Sequence, residues 1–386
     1  MEKIYHGRGN EALYDDYFDF INYVFGFNGN SEDFKQLLPK IYRPEDTPVE
    51  NSYITLDDGK LKAVVGAFDH KLQVCGIEIN CRGIGNVAVH PYARSKGYMK
   101  QLMNIALDDM KKDGIDLSIL GGRRQRYNYF SYDKGGSSYN FTINNDNLRH
   151  TYGKERSAYH TLEVKKLTPD DKEIFAEIAK LINGQIYCPI REEARMYDIL
   201  VSWHHVPYAL LKDGEFAGYI VADSRKIYEI MTVDNNDFSN AIISFYDHLA
   251  VPSISVVLPE FCTDYIDKLY RLCEGYELGL NKSFSVFNYA KVIGAFLKLK
   301  NSYANLPDGK VTMLIHGIAG DEKLCIGKSG DETFVKTFEG DADIELDHID
   351  AMNMLFAPFC QARDRLPVFA RVALPLPLWV YSTDAV

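Results

Sequence analysis

Residues 86–103 read NVAVHPYARSKGYMKQLM and place three features in close succession. A short apolar strand over residues 87–89 ends at His90-Pro91, a basic turn follows, and an amphipathic helix begins at Gly97. Gly114 can end this helix. Its apolar stripe consists of Met99, Leu102, Met103, Ala106 and Met110. The stretch therefore predicts a strand, a cationic loop and a helix N-terminus, in that order.

A helix start after a basic loop is a candidate anion site. The first backbone amides of a helix lack intrahelical partners, the dipole is positive there, and a glycine lets a phosphate approach the backbone. Arg94 and Lys96 add charge within the loop, and four further cations lie close in sequence: Lys100, Arg123, Arg124 and Arg126. Six cations in an acidic chain indicate one polyanionic ligand such as a diphosphate. An ordinary strand-to-helix turn is the alternative.

The whole-chain composition narrows the class of protein. The 386 residues predict two to three folded domains, since 46% are hydrophobic and 25% are charged. A net charge of −11 disfavours generic nucleic-acid binding. The seven cysteines are scattered without a C-x-x-C pair, which predicts reduced thiols and a cytoplasmic location. We expect no signal peptide, because the first residues, MEKIYH, lack a positive flank and an apolar stretch. We also expect no membrane span, because the apolar run over residues 372–381 is short and contains two prolines.

The order of elements suggests a repeat followed by a smaller unit. The first 150 residues predict a helix over 15–27, a hairpin over 51–56 and 61–68, and a third extended run over 72–79. From Tyr159 a similar order returns, with helices over 169–183 and 240–249 and a strand over 254–258. A helix over 288–300 leads to a turn at Pro307-Asp308-Gly309. Strands at 311–316, 333–335 and 343–346 follow, and Asp347 can cap a helix over 349–356.

The loop from Arg94 to Met99 resembles the acetyl-coenzyme A loop of the GCN5-related N-acetyltransferases (GNAT). That pattern is Arg or Gln, two residues, Gly, one residue, then Gly or Ala, and Met99 departs from its last position. A larger apolar residue there is common in the enhanced-intracellular-survival (Eis) subfamily, which has this length. The resemblance implies an α/β (α+β) chain with mixed sheets flanked by helices. It further implies tandem acetyltransferase-like domains over residues 1–155 and 156–295, and a sterol carrier protein-like α+β domain over 296–386.

The same resemblance implies which residues bind and react. The coenzyme would lie along Val87, Ala88 and Val89 and against the loop residues Arg94, Ser95, Lys96, Gly97, Tyr98 and Met99. After a strand at residues 117–120, the family's Tyr-x-x-Phe-x-Tyr segment matches Tyr127, Phe130 and Tyr132. Tyr127 would then be the general acid that assists departure of the coenzyme thiolate.

The base is harder to find, since residues 84–93 contain no carboxylate. In the resembling subfamily the chain-terminal carboxylate, here that of Val386, lies in the first domain's active site. Glu78 and His90 are the alternative bases. The acceptor would be a primary amine of aminoglycoside, polyamine or lysine type, favoured by the acidic balance, with the aromatic residues between 18 and 27 lining its pocket.

The remaining segments predict less chemistry. The loop at residues 231–240 has no glycine or cation and carries Asp234 and Asp237, so we expect no coenzyme there. The third domain raises a lipid-carrier alternative, with Met352, Leu355 and Phe356 lining a tunnel. His204-His205 lacks a second pair of metal ligands, and Gly83-Ile84-Gly85 is not a dinucleotide fingerprint. The resemblance also implies a homo-oligomer, possibly a hexamer; we expect no metal, nucleic-acid or membrane partner.

Overall fold

The structure is a computed structural model that describes residues 4–27, 29, 33–159 and 161–386. Its strands are β1 Ile4–Arg8, β2 Ser52–Asp57, β3 Lys60–Val74, β4 Ile77–Val89, β5 Leu117–Leu120, β6 Asp133–Asn144, β7 Glu163–Lys166, β8 Tyr187–Ile190, β9 Val206–Lys212, β10 Glu215–Ala222, β11 Lys226–Thr232, β12 Ser253–Pro259, β13 Tyr276–Val286, β14 Gly309–Gly317, β15 Gly320–Ser329, β16 Glu332–Thr337 and β17 Ile344–Asp347. Its α-helices are α1 Tyr14–Phe27, α2 Phe34–Leu37, α3 Tyr98–Lys112, α4 Arg124–Tyr127, α5 Asn145–Tyr152, α6 Lys172–Asn183, α7 Met196–Val201, α8 Phe238–Leu249, α9 Thr263–Leu272, α10 Tyr289–Tyr303, α11 His348–Phe356 and α12 Val368–Ala373.

The first 286 residues build one thirteen-stranded mixed sheet. Its order is β1-β2-β3-β4-β5-β13-β6-β12-β11-β10-β9-β7, with β8 paired to β3. Strand β13, late in the chain, lies between β5 and β6, and β6 in turn pairs with β12. Strands from the two predicted repeats are therefore interleaved within one continuous sheet.

A second, four-stranded sheet follows in the order β16-β15-β14-β17. It packs with α10, α11 and α12. Asp347 caps α11 as expected, because its side chain accepts a hydrogen bond from the amide of Asp350 at 2.9 Å. Among the described residues, no helix is long and apolar enough to cross a bilayer.

The long helices lie close to their predicted positions, but one predicted strand is wrong. Residues 72–79 do not form a single strand: β3 continues to Val74, the chain turns at Cys75-Gly76, and β4 begins at Ile77. Both turn residues have positive φ, 50° and 80°, as a two-residue hairpin turn requires. The sequence-based prediction lacked strands β1, β6, β8, β11, β13 and β15 and helices α2, α4, α5, α7, α9 and α12.

The part of the sheet formed by β2, β3 and β4 is covered on both faces. On one face α3 buries Leu102, Met103 and Ala106 against Val65 and Ile84. On the other face α1 packs its aromatic residues against β3 and β4, and Val386 at the chain end joins that cluster. The last residue of the chain is thus packed against the first domain's sheet.

Candidate active site

The first feature of the site is a separation of two parallel strands. β4 and β5 pair in parallel from Cys81↔Leu117 to Ile84↔Leu120, where β5 ends. β4 continues along β3 as far as Val89, with a bulge marked by the positive φ of Asn86 (50°) and a register shift on β3. The edge of β4 beyond Ile84 therefore has no β5 partner. We call this strand separation the first cleft.

The loop at the mouth of the first cleft leaves the start of α3 open. Gly97 is the N-cap of α3 with φ 80°, and no heavy atom of the described residues lies within 4 Å of where its Cβ would stand. The amides of Tyr98, Met99 and Lys100 belong to the first turn, where helix geometry provides no intrahelical acceptor. An open glycine beside unpaired first-turn amides fits a phosphate group. The loop therefore suits the diphosphate of a coenzyme.

The cations expected around this loop do not all face one ligand. The ammonium of Lys96 lies 3.0 Å from the carboxylate of Asp57, which also accepts a hydrogen bond from the Tyr98 hydroxyl at 2.8 Å. Arg124 forms an ion pair with the buried Asp133 at 2.5 and 2.8 Å. Two of the six predicted cations are thus neutralised by carboxylates on β2 and β6, which the local sequence did not reveal.

Tyr127 lies in a buried position at the end of α4. The residue is 6% exposed, and its ring packs against the backbone of Gly122. Burial raises the pKa of Tyr127 above the ordinary 10.0, against the opposing charge of Arg126. The phenol therefore stays protonated at neutral pH, as a general acid must. Tyr132 instead shares a 2.6 Å hydrogen bond with the Ser118 hydroxyl.

The end of the chain lies against β4 where the first cleft begins. A Cβ built at Gly83 would collide with the side chain of Val386, and one at Gly85 would lie 3.1 Å from the carboxyl carbon of Val386. These two glycines flank Ile84, the last residue of β4 that pairs with β5. The residues at positions 83 and 85 are thus small where the terminal carboxylate approaches the strand.

Side chains distant in sequence hold the last residues in place. The Lys40 ammonium donates to the carbonyls of Thr383 and Ala385 at 2.5 and 2.6 Å, and the Trp203 indole donates to the same Ala385 carbonyl at 3.0 Å. Burial lowers the pKa of Lys40 to about 7, although the negative charge of Asp384 acts to raise it. We call residues 381–386 the terminal segment.

A buried arginine anchors the same segment. Arg191 forms a 2.8 Å ion pair with Asp384 and a bidentate pair with Glu229 at 2.8 and 3.0 Å. It also donates to the Thr383 hydroxyl at 2.8 Å. Burial alone would raise the pKa of Asp384, but the charge and hydrogen bonds of Arg191 lower it. A buried guanidinium needs such partners, so the terminal segment completes a network that stabilises Arg191.

The alternative bases lie less favourably. Glu78 pairs with Lys71 at 2.8 Å, and it lies five residues before Gly83 on β4, roughly 16 Å along the strand. His90 follows β4, with its Nδ1 3.3 Å from the amide of Tyr92 and its ring against Tyr23. Both lie farther along the chain from Ile84, where β4 leaves β5, than Gly83 and Gly85, which contact Val386.

A second pair of parallel strands separates in the same sheet. β11 and β12 pair only at Lys226↔Ser255 and Ile227↔Val256, and the opening beyond them is the second cleft. Here Tyr265 of α9 points its hydroxyl at Thr232, 3.1 Å from the amide and 2.8 Å from the side-chain oxygen. Its ring stacks on Phe238 with centroids 4.0 Å apart. The protein's own side chains thus occupy the strand edge.

The described residues form neither the lipid tunnel considered for the third domain nor a metal site. The apolar interior of the four-stranded unit encloses a cavity of only about 10 Å³, lined by residues such as Leu355 and Phe369. That space holds about one water molecule and is far too small for a lipid tail. The described residues also contain no group of three or more His, Cys, Asp or Glu side chains that could hold a metal ion.

Comparison with known proteins agrees with this architecture. Residues 8–135 match the family model described as an acetyltransferase (GNAT) domain. That stretch is therefore a GNAT acetyltransferase domain, and the chain is an acyltransferase with the predicted mixed α/β fold. No curated protein matches the sequence.

Solved structures share the fold over nearly the whole chain. One is a GCN5-related N-acetyltransferase from Anabaena variabilis, at 15% identity and a TM-score of 0.66, covering 99% of this chain and 98% of that one. A probable N-acyltransferase from Enterococcus faecalis has 18% identity and a TM-score of 0.66, with 98% and 97% covered. Eis1 from Mycobacterium abscessus has 13% identity and a TM-score of 0.63, with 100% and 99% covered. At these identities the likeness concerns the fold alone.

Proposed function

We propose that the chain is an N-acetyltransferase that transfers the acetyl group of acetyl-coenzyme A to a primary amine by direct attack. The contact of Val386 with Gly83 and Gly85 carries this proposal. It brings a carboxylate to the point where β4 leaves β5, although residues 84–93 contain none. A lipid carrier would need neither that contact nor an open helix start.

Acetyl-coenzyme A is proposed to enter the first cleft. The free edge of β4, with Val87, Ala88 and Val89, suits the pantetheine amides, which would add to it like a strand. The loop residues Arg94, Ser95, Lys96, Gly97, Tyr98 and Met99 would hold the diphosphate through the first-turn amides of α3. The coenzyme supplies the activated acetyl group.

The reaction is then divided between two groups of the protein. The Val386 carboxylate accepts the proton that an ammonium acceptor must lose before attack. The amine nitrogen attacks the thioester carbonyl carbon, so that a C–N bond forms and the C–S bond breaks. Tyr127 donates its phenolic hydrogen toward the leaving sulfur, a role that suits a phenol kept protonated by burial.

A change at the chain end tests the base. Deleting Val386 leaves Ala385 as the last residue, but Lys40 and Trp203 bind the carbonyl of Ala385 and hold it away from the cleft. We expect kcat for amine acetylation to fall about a hundredfold, while the acetyl-coenzyme A Kd stays within about twofold. Val386→Ala keeps the terminal carboxylate and is expected to stay within a few-fold of wild type. Thiol release with a panel of amines measures this; equal loss in both variants contradicts the base assignment.

The finer assignments remain part of the proposal. Aminoglycosides, polyamines and lysine side chains are the acceptor classes to be assayed first. The sterol carrier-like character of the third domain, the cytoplasmic location and a homo-oligomeric state remain predictions from the resemblance.

A further inference from the structure

A cavity lies beside the terminal segment on the α1 face of the sheet. Its volume is about 400 Å³, and its lining includes Lys40, Phe68, His70, Asp384 and Val386. A space of this size accommodates a small-molecule acceptor. Since Val386 forms part of the wall, a ligand in this cavity would be close to the proposed base.

His70 lines this cavity with its hydrogen-bonding capacity unused. Both ring nitrogens are buried, and neither has a hydrogen-bond partner of normal geometry among the described residues. The carbonyl of Phe68 lies close enough to favour the protonated ring, but burial dominates and lowers the pKa of His70 to about 4. The imidazole is therefore neutral at pH 7 and keeps a nitrogen lone pair.

The charged groups around the ring already have other partners. Asp384 is paired with Arg191, and Lys40 donates to two backbone carbonyls. Asp69 is paired with Arg82. Buried polar groups in native proteins normally have a partner, so the partner of His70 is expected to come from outside the chain.

The register of β3 and β4 gives the distance from His70 to the chain end. His70 pairs with Cys81 and Phe68 pairs with Gly83, so these residues lie on one face of the two strands. The side chain of Val386 lies against Gly83, but its carboxyl carbon lies against Gly85, which pairs with Gly66. His70 is thus two strand repeats, about 13 Å, from the residue pair that the terminal carboxylate faces.

We propose that this cavity receives the amine acceptor and that His70 accepts a hydrogen bond from a second donor group of that acceptor. This inference rests on the proposed function, since it takes Val386 as the end of the cavity where the reacting nitrogen lies. The chemical class that fits is a diamine or amino alcohol whose second ammonium or hydroxyl lies about 13 Å from the reacting nitrogen. His70 is a specificity-determining residue in this scheme and takes no part in proton transfer.

Equilibrium binding tests the inference without requiring turnover. We would titrate 1,9-diaminononane and n-nonylamine into the full-length protein by calorimetry and compare their Kd values. Wild type is expected to prefer the diamine by tenfold or more. His70→Leu should bring the diamine Kd to that of the monoamine, whereas the monoamine Kd stays unchanged.

Two conservative variants and one control complete the design. Asn and Gln place an oxygen acceptor near the two ring-nitrogen positions, so at least one of His70→Asn and His70→Gln should restore the preference. The exposed histidine of α5 serves as control, and His150→Leu should behave as wild type. The acetyl-coenzyme A Kd, measured on every variant, shows that each is folded.

Each remaining outcome has a defined meaning. A preference for the diamine that survives in His70→Leu overturns the inference, as does a wild-type protein that binds both amines equally or binds neither. Failure of the proposed function has a different signature: the diamine binds in a His70-dependent way, but no thiol is released from acetyl-coenzyme A.

Discussion

The two clefts of the shared sheet are built alike but differ in what occupies the separated strand edge. In the first cleft, β4 continues beyond Ile84 with its edge open and Val386 packed on its glycines. In the second cleft, the edge of β11 is closed, because the Tyr265 hydroxyl binds the amide of Thr232. Each cleft has a tyrosine on the helix that follows the second parallel strand, Tyr127 on α4 and Tyr265 on α9. The tyrosine at the same topological position is thus a candidate acid in the first cleft, whereas in the second cleft its hydroxyl binds the strand edge.

The loops that precede α3 and α8 also differ in charge and in how open the helix start is. The first has an open glycine at the N-cap of α3. The second has Asp237 at the N-cap of α8 and Asp234 two residues upstream of Asn236, whose amide it binds at 2.9 Å. Carboxylates at that end of a helix place negative charge where a diphosphate would bind. In the proposed function, coenzyme binding therefore depends on a few local residues and not on the strand topology.

The largest effect is expected from closing the first loop. Gly97 has φ 80°, which a β-branched residue rarely adopts, so Gly97→Val shifts the loop and removes two charge-assisted hydrogen bonds to the diphosphate, worth about 1.5–3 kcal/mol each. At about 1.4 kcal/mol for each tenfold change, the Kd for acetyl-coenzyme A should rise about a thousandfold. Isothermal calorimetry measures this directly.

The matched control lies in the loop of the second cleft. Asn236 is exposed, and Asn236→Val should leave the Kd for acetyl-coenzyme A unchanged. Equal weakening by both substitutions would mean that the two loops do not differ as described.

Tyr127→Phe should lower kcat about a hundredfold and leave the Kd for acetyl-coenzyme A within about twofold. Because burial raises the pKa of Tyr127 above 10.0, the phenol is protonated throughout the range from pH 6 to 9. The substitution should therefore lower the whole pH–rate profile without moving either limb. Tyr129→Phe, at a residue 64% exposed, is the control and should match wild type. A limb that shifts near neutral pH in Tyr127→Phe would contradict the assignment.

Local sequence was sufficient to predict the first loop but not what surrounds it. The helix from Gly97 and the spacing of Tyr127, Phe130 and Tyr132 involve residues close along the chain, so pattern and resemblance locate them. The hairpin at Cys75-Gly76 was missed because it lacks the Asn-Gly or Asp-Gly pair that signals such a turn, and a cysteine rarely adopts positive φ.

Long-range contacts account for the rest. Lys40 binds the carbonyl of Ala385 across 345 positions, and Arg191 binds Asp384 across 193. No short pattern marks either residue, because each is an isolated cation whose partners become neighbours only in the folded chain. The insertion of β13 between β5 and β6 likewise depends on pairing between distant segments.

The smallest effect is expected in the second cleft. Tyr265→Phe removes the hydroxyl that pairs with both polar groups of Thr232, which leaves a buried amide without a partner. The free energy of unfolding should fall by about 1–3 kcal/mol, whereas kcat and the Kd for acetyl-coenzyme A should stay at wild-type values. Tyr270→Phe, on the same helix and 63% exposed, should change the stability by less than about 0.5 kcal/mol.

The stoichiometry of acetyl-coenzyme A binding, measured by calorimetry, sharpens the comparison of the two clefts. If Tyr265→Phe binds a second equivalent of acetyl-coenzyme A, the hydroxyl alone closes the second cleft. An unchanged single equivalent means that the Phe238–Tyr265 stack and the carboxylates of the loop exclude the coenzyme without it.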